Sequence, residues 1–236
     1  SLLHLVVLAL VQGITEFLPV SSSGHLVLVP LFMDVPDQGL LMDVAVHVGT
    51  LGAVVVYLWR DVWAMIGGLG RAMKGRRDPG AKLAGFLVLG TIPVVAAGYA
   101  LNHYIPNGIR GLDVIAWTTL GFGILLLVAD KVGMTLRRIE HLRFGDVLII
   151  GLVQALALIP GTSRSGICMT AGRMMGMERR DSARFAMLLG IPAIAGAGVL
   201  KGWELYRSGD AKITADAMLA SGLAFVTALI AIALMM

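Results

Sequence analysis

Two short stretches of this 236-residue chain carry side chains that do chemistry, in surroundings otherwise poor in polar groups. The first is Gln12-Gly13-Ile14-Thr15-Glu16-Phe17-Leu18-Pro19-Val20-Ser21-Ser22-Ser23-Gly24-His25, and the second is Ile159-Pro160-Gly161-Thr162-Ser163-Arg164-Ser165-Gly166. Gln12 and Glu16 are four apart, which puts both on one helix face. Ser21, Ser22, Ser23 and His25 follow a proline break, where a new helix opens with unpaired N–H groups. In the second stretch Gly161, Thr162, Ser163, Arg164 and Ser165 offer a pliable backbone, three hydroxyls and a guanidinium at another helix start. Hydroxyls and an arginine fork at helix N-termini make an anion site suited to phosphate oxygens. The implied ligand is a phosphate or diphosphate.

A carboxylate beside such a site is expected to hold a metal ion, accept a proton or orient water, and Glu16 suits each role. Three routes to phosphorus stay open: His25 attacking, Ser22 attacking with His25 as base, or water attacking directly. Ser22 and His25 are three apart at a helix start, so both can face one phosphate, and the Ser22 route resembles the usual activated-hydroxyl arrangement. Blander readings stand beside these. Ser21 and Ser23 also suit plain N-caps, His47 on an apolar span reads as a packing residue, and Glu16 with Arg164 could form only a structural lock. Of the 19 basic and 15 acidic side chains, Glu16 and Arg164 alone fall deep inside apolar segments. Unpaired, a charge there costs about 2.5–3.5 kcal/mol or more on insertion scales, so such residues pair and mark functional sites.

The elements that position these groups belong to a membrane. With 57% hydrophobic and 14% charged residues the chain carries more apolar surface than a soluble domain of this length hides. Thirty glycines and few aromatics favour closely packed helices over a barrel. Apolar runs at 41–59, 83–101, 112–130, 183–201 and 214–236 are each long enough for a ~30 Å hydrocarbon core. Regions 1–33 and 144–177 are instead broken by proline and hydroxyl residues. Free backbone groups at such depth need protein or a wet cavity around them, so both regions read as re-entrant helix pairs. Bases gather in 60–82 (Arg60, Arg71, Lys74, Arg76, Arg77, Lys82), 130–146 (Lys131, Arg137, Arg138, Arg143) and 173–184 (Arg173, Arg179, Arg180, Arg184). The loop 34–43 has three acids and no base. Segments 60–82 and 130–146 are therefore expected in the cytoplasm, and 34–40 and 102–111 outside.

An internal repeat runs through the chain at an offset of 141 or 142, pairing Leu10-Val11-Gln12 with Leu152-Val153-Gln154, Pro19 with Pro160, Ser22 with Ser163, and Ala45 and Gly49 with Ala186 and Gly190. Three spans separate the broken regions, so the copies must be inverted and their breaks should meet near the midplane. The expected architecture is one all-α integral membrane domain over 1–236, with repeat 1 at about 1–140 and repeat 2 at about 142–236. The counterpart of span 112–130 would fall near 253–271, past Met236. The net charge of +4 is explained by membrane orientation rather than nucleic acid. A single cysteine, Cys168, rules out internal disulfides, and no His/Cys cluster offers zinc ligation. Residues 1–18 lack a basic start and contain Gln12 and Glu16, so they are not read as a signal peptide.

Both stretches resemble the two signature regions of the undecaprenyl-pyrophosphate phosphatase (bacitracin-resistance) family. The similarity extends in element order from residue 1 to about 236 and includes Asp43-Val44-Ala45-Val46-His47-Val48-Gly49-Thr50. The resemblance implies six transmembrane helices with two re-entrant pairs. It also implies hydrolysis of undecaprenyl diphosphate to undecaprenyl phosphate and phosphate, which supplies the lipid carrier for cell-wall synthesis. A divalent metal (Mg or Ca), the bacterial inner (plasma) membrane and a site toward the outer face come with it. Carried over, the family's Gln/Glu-x-x-x-Glu pair falls on Gln12 and Glu16, its serine and histidine on Ser22 and His25, and its Pro-Gly-x-Ser-Arg-Ser on Pro160 to Ser165. Where the family's second motif continues to a threonine this chain has Cys168, a poor hydrogen-bonding substitute, with Thr170 close by. The expected partners are the bilayer, a polyprenyl diphosphate and, in a homodimer, a second copy of the chain. The rival from another class is a lipid-phosphate flippase or transporter, since inverted repeats with broken helices also build transporters.

Overall fold

A computed structural model describes residues 2–104, 111–208 and 210–236. Among them every extended regular element is a helix: α1 (Leu2–Thr15), α2 (Ser22–Met33), α3 (Gly39–Tyr57), α4 (Trp59–Ala72), α5 (Pro79–Tyr104), α6 (Leu112–Val132), α7 (Phe144–Gln154), α8 (Arg164–Met174), α9 (Arg179–Ser208) and α10 (Ala211–Met235). Short 3-10 turns at Ile139–His141 and Ala155–Leu158 precede and follow α7. Five helices are long and apolar enough to cross a membrane: Gly39–Tyr57, Pro79–Leu101, Leu112–Val132, Arg179–Arg207 and Ala211–Met235. They coincide with the five expected spans. The two broken regions become short helix pairs, α1–α2 and α7–α8. Most of the expected outer loop at 102–111, with Arg110, lies outside the described residues.

One element departs from the sequence reading. The stretch 60–82, read as a basic loop, contains α4. Its Met65 and Gly68 are buried while Trp59, Trp63, Ile66 and Met73 stay exposed along one face. A charge count hides such a helix because its unbroken apolar run, Val62 to Ile66, is far too short for a span and lies between charged residues. Asp78 closes the turn into α5: its Oδ1 accepts from Gly80 N at 2.8 Å and its Oδ2 from Arg71 Nε at 2.6 Å. That hydrogen bond from Arg71 holds the Asp78 carboxyl below the usual carboxylate range.

In lipid, apolar area gains little by leaving one hydrocarbon for another, so helices associate where small residues let backbones approach. On α10 the buried stripe is Ala217, Ala220, Ala224, Ala228 and Ile232, which recurs at helical spacing. Against it lies Gly49 of α3, where a Cβ would fall 2.8 Å from the Ser221 carbonyl carbon, and Gly13 of α1, where one would fall 2.9 Å from Ala228 N. Gly151 of α7 makes the same close approach to Gly90 of α5, a Cβ there falling 2.6 Å from the Gly90 oxygen.

The three basic segments gather at one end of the bundle. Arg184 pairs with Asp61, Arg138 Nε with Glu178 Oε1 at 3.0 Å, and Lys82 Nζ donates to the Leu142 carbonyl at 3.0 Å. Arg173, counted from the sequence among loop bases, is buried in the last turn of α8. Its Nε donates to Asp130 Oδ1 at 3.0 Å and its Nη1 and Nη2 reach the carbonyls of Met177, Asp130 and Gly133. Such charge-assisted bonds to helix-terminal carbonyls satisfy groups that would otherwise be unpaired. Arg137 touches both ends of the second pair: Asp146 in the first turn of α7 and the Met175 carbonyl just past α8.

Candidate active site where the two helix breaks meet

Each break ends in the same cap. Ser21 precedes α2 in extended conformation and its Oγ accepts from Gly24 N at 3.2 Å; Ser163 precedes α8 likewise and accepts from Gly166 N at 3.1 Å. The Ser21 and Ser23 hydroxyls lie 3.2 Å apart, those of Ser163 and Ser165 3.1 Å apart. By this cap the first residues of the new helices are Ser22 and Arg164, so these two side chains sit at equivalent places. Ser22 thus aligns with Arg164 rather than with Ser163, a shift of one residue inside the loop. Gly161 has φ +89°, a left-handed conformation that favours glycine. A Cβ there would also strike Ile115 of α6, against which the loop is held by Thr118 Oγ1 donating to the Pro160 carbonyl at 2.6 Å and Thr119 Oγ1 donating to the Gly161 carbonyl at 3.1 Å.

Glu16 lies one residue beyond α1, its N–H still bonded to the Gln12 carbonyl at 3.0 Å, and its side chain is only 3% exposed. Its two carboxylate oxygens are divided between the breaks. Oε2 accepts from Gln12 Nε2 at 2.9 Å and from Ser22 Oγ at 2.7 Å; Oε1 accepts from Arg164 Nη2 at 2.8 Å. Arg164 Nη1 is buried without a protein partner. Its guanidinium rests on Gly190 of α9, where a Cβ would fall 2.9 Å from Cζ. Arg164 keeps one donor on Glu16 and has a second to offer.

These groups line a cavity of about 470 Å³. Its polar lining is Glu16, Ser22, Ser23, Thr162, Arg164 and His47 with Asp37, Gln38 and Asp43; its apolar lining includes Leu40, Val44, Val94, Ala193, Ile194 and Ala197. Thr162 Oγ1 is buried and unpartnered, so it too is a free polar group of this lining. Other expected site residues sit elsewhere. Ser165 is buried and turned to the end of α1, where its Oγ lies 3.2 Å from the carbonyls of Glu16 and Leu18. Ser21 is buried as the α2 cap. His25 is not among the cavity residues: its Nδ1–H donates to the Ser21 carbonyl at 2.6 Å, which folds the ring back along α2. The hydroxyl of Ser22 therefore finds Glu16, not His25, as its acceptor. His47, read from the sequence as packing, stands in the site with Nε2 3.4 Å from Glu16 Oε2.

For a divalent metal the available donors are hard oxygens. Gln12 Oε1 is buried and without a hydrogen-bond partner, and Glu16 Oε1 accepts only from Arg164 among the bonds described. Among the described residues no group of three or more His, Cys, Asp or Glu side chains converges as a metal cage. An ion such as Mg, which keeps waters and takes substrate phosphate oxygens as ligands, fits such a sparse set; a closed structural zinc does not.

Comparison with known proteins gives the family. The family model described as bacitracin resistance protein BacA matches residues 5–236. The chain is similar to undecaprenyl-diphosphatase 1 of Rhodospirillum rubrum, at 55% identity over all of this chain and 86% of that protein. It is similar to the undecaprenyl-diphosphatases of Ruegeria pomeroyi, at 53% identity over all of this chain and 89% of that protein, and of Erythrobacter litoralis, at 44% over all of this chain and 90% of that protein. With the match running through both helix breaks and all five long apolar helices, the chain belongs to the BacA bacitracin resistance family.

Proposed function

We propose that this multi-pass membrane protein is an undecaprenyl-diphosphate phosphatase, releasing phosphate from the lipid diphosphate in the cavity between the two breaks. The observation that carries the reading is the continuous chain Ser22–Glu16–Arg164, a hydroxyl on a carboxylate on a guanidinium, at 2.7 and 2.8 Å. An apolar lining in the same cavity suits a diphosphate joined to a hydrocarbon tail rather than a free phosphate. Relatives carrying the diphosphatase name do not favour the flippase alternative.

In the proposed reaction Ser22 Oγ attacks the terminal phosphorus while its proton passes to Glu16 Oε2, the nucleophile–base contact that activates hydroxyls generally. The bond from that phosphorus to the bridging oxygen breaks, and undecaprenyl phosphate leaves. The proton held by Glu16 departs with undecaprenyl phosphate; water then attacks phosphorus and gives a proton to Glu16, which returns one to Ser22 Oγ as the bond from Ser22 to phosphorus breaks and phosphate is released. Arg164 Nη1, Thr162 Oγ1 and the first N–H groups of α2 and α8 stabilise the oxygens of the transferred group, and such electrostatic stabilisation lowers the barrier to phosphoryl transfer more than any other effect. A divalent cation, when bound by Gln12 and Glu16, supplies further neutralisation of phosphate charge.

The two short pairs are read as re-entrant hairpins belonging to inverted repeats. The shared cap at each break and the return of α7–α8 to its own end of the bundle support this. The basic end marks the cytoplasm by its charge. On α9 the cavity residue Ala193 lies about 21 Å of helix rise from Arg179 at the basic end, which supports a site opening toward the outer face of the bacterial inner membrane.

The test is brief reaction of purified protein with substrate labelled in the terminal phosphate, followed by acid or alkaline quench and mass analysis. Label on Ser22 is expected. Acid-labile label on His25, or oxygen-18 passing from water directly into phosphate in one turnover with neither residue labelled, refutes the route. Absence of phosphate release from undecaprenyl diphosphate refutes the function.

A further inference from the structure

The apolar span α3 contributes a group to the site from outside both motifs. His47 Nδ1–H donates to the Asp43 carbonyl at 2.7 Å, which fixes the ring plane and turns Nε2 toward Glu16 Oε2, 3.4 Å away. The backbone beneath it is equally fixed. Thr50 Oγ1 donates to the His47 carbonyl at 2.8 Å, and half a turn on, Gly49 is pressed against α10 so closely that no Cβ fits. The imidazole is 26% exposed and lines the cavity, whereas a histidine used only for packing would bury its nitrogens against apolar neighbours or a single carbonyl.

Glu16 is thus contacted from four directions: by Gln12 of its own helix, Ser22 of α2, Arg164 of α8 and His47 of α3. The first three crowd the carboxylate within and between the breaks. The fourth meets Oε2, the oxygen that accepts from Ser22, from the side of α3. We infer that His47 is a positioning residue that holds the Glu16 carboxylate in line between Ser22 and Arg164. This rests on the phosphatase reading above and adds to it a residue outside the two motifs. Partners that orient a reacting carboxylate or ligand are commonly worth about 10–100-fold in activity.

The discriminating pair is His47→Phe, which keeps a ring of similar size without nitrogens, and His47→Gln, whose terminal amide reaches about as far as Nε2 and can hydrogen-bond Glu16. Turnover of undecaprenyl diphosphate and thermal unfolding in detergent are measured for both beside the wild-type protein. Expected are a fall in kcat of about 10–100-fold for His47→Phe, with KM within about threefold, and recovery to within about fivefold of wild type for His47→Gln. Both variants should unfold near the wild-type temperature. Equal, near-wild-type kcat in the two variants overturns the proposal and returns His47 to packing. Equal loss in the two, with folding intact, also overturns it, because a hydrogen-bonding amide would then not replace the ring. An inactive wild-type protein would instead refute the phosphatase reading itself, so the two failures are distinguishable.

Discussion

Gly190→Ala tests the site without touching any group that does chemistry. On the present backbone the new methyl would lie 2.7 Å from Arg164 Nη2 and 2.9 Å from Cζ, and closer still to Nη1. Ordinary contact needs roughly 3.5–4 Å, so the guanidinium must retreat by about 1 Å. The α9 backbone cannot yield instead, because it is held by its own helical hydrogen bonds, while the arginine is the flexible partner. A retreat of that size stretches the 2.8 Å bond from Nη2 to Glu16 Oε1 beyond hydrogen-bonding range and misplaces the unpartnered Nη1. Misplacement of a binding group by about 1 Å lowers rates on the order of 10²-fold, or about 2.7 kcal/mol in kcat/KM. Alanine is also the better helix former, by about 1 kcal/mol over glycine, so α9 itself should not weaken. The assay is phosphate release from undecaprenyl diphosphate in detergent, with Gly196→Ala as control, since nothing lies within 4 Å of a Cβ there. A Gly190→Ala protein within threefold of wild-type kcat/KM would show that the arginine is not held against Gly190 or does no work in the reaction.

Three further outcomes are expected. Arg164→Lys keeps the charge but loses the planar fork that spans Glu16 and a phosphate oxygen, so activity should fall about 10²-fold; full activity in both Arg164→Lys and Glu16→Gln, with lowered unfolding temperature, would leave the pair only a structural lock. Gly49→Ala, at the repeat position matching Gly190, presses a methyl on the Ser221 backbone rather than on a mobile side chain. It should lower stability by about 1–3 kcal/mol, seen as earlier thermal unfolding, with little change in kcat of the protein that remains folded. In a Cys168→Ala background, cysteine at Lys74 should react only from the cytoplasmic side and cysteine at Pro36 only from outside; reaction of both from one side contradicts the assigned orientation.

The long helices were legible because an unbroken apolar run of span length has few other fates, and the breaks because proline and hydroxyls at that depth demand cover. Helix α4 was not, since its apolar run, Val62 to Ile66, is short and the segment 60–82 holds six bases and two acids. Within the site, Glu16 and Arg164 announced themselves as stranded charges. The hydroxyls were less readable: Ser163 and Ser165 looked like phosphate ligands, yet Ser163 caps α8 and Ser165 meets the carbonyls of Glu16 and Leu18 just past α1. A serine at a helix start serves backbone or ligand equally well, and only the packed neighbours decide. His25 and His47 exchange their expected places for a similar reason. Each ring donates to a carbonyl four residues back, and what remains for its other nitrogen depends on which way its helix faces. Gly190 and the Thr118–Thr119 clamp act on residues far away in sequence, which spacing within one segment does not reveal.

The ion pair between Glu16 and Arg164 joins residues 148 apart in the chain. At about 5–20 residues per second, roughly 7–30 s pass between the synthesis of the carboxylate and that of its guanidinium. During that interval α1 carries a charge whose insertion costs on the order of 2.5–3.5 kcal/mol unpaired. The first hairpin is therefore expected to wait near the bilayer surface, and the site to close only when α7–α8 has been delivered. Activity then appears as a late event in biogenesis. Nascent chains arrested before Arg164 should leave Glu16 reachable by water-soluble carboxyl reagents, and chains arrested after α10 should protect it.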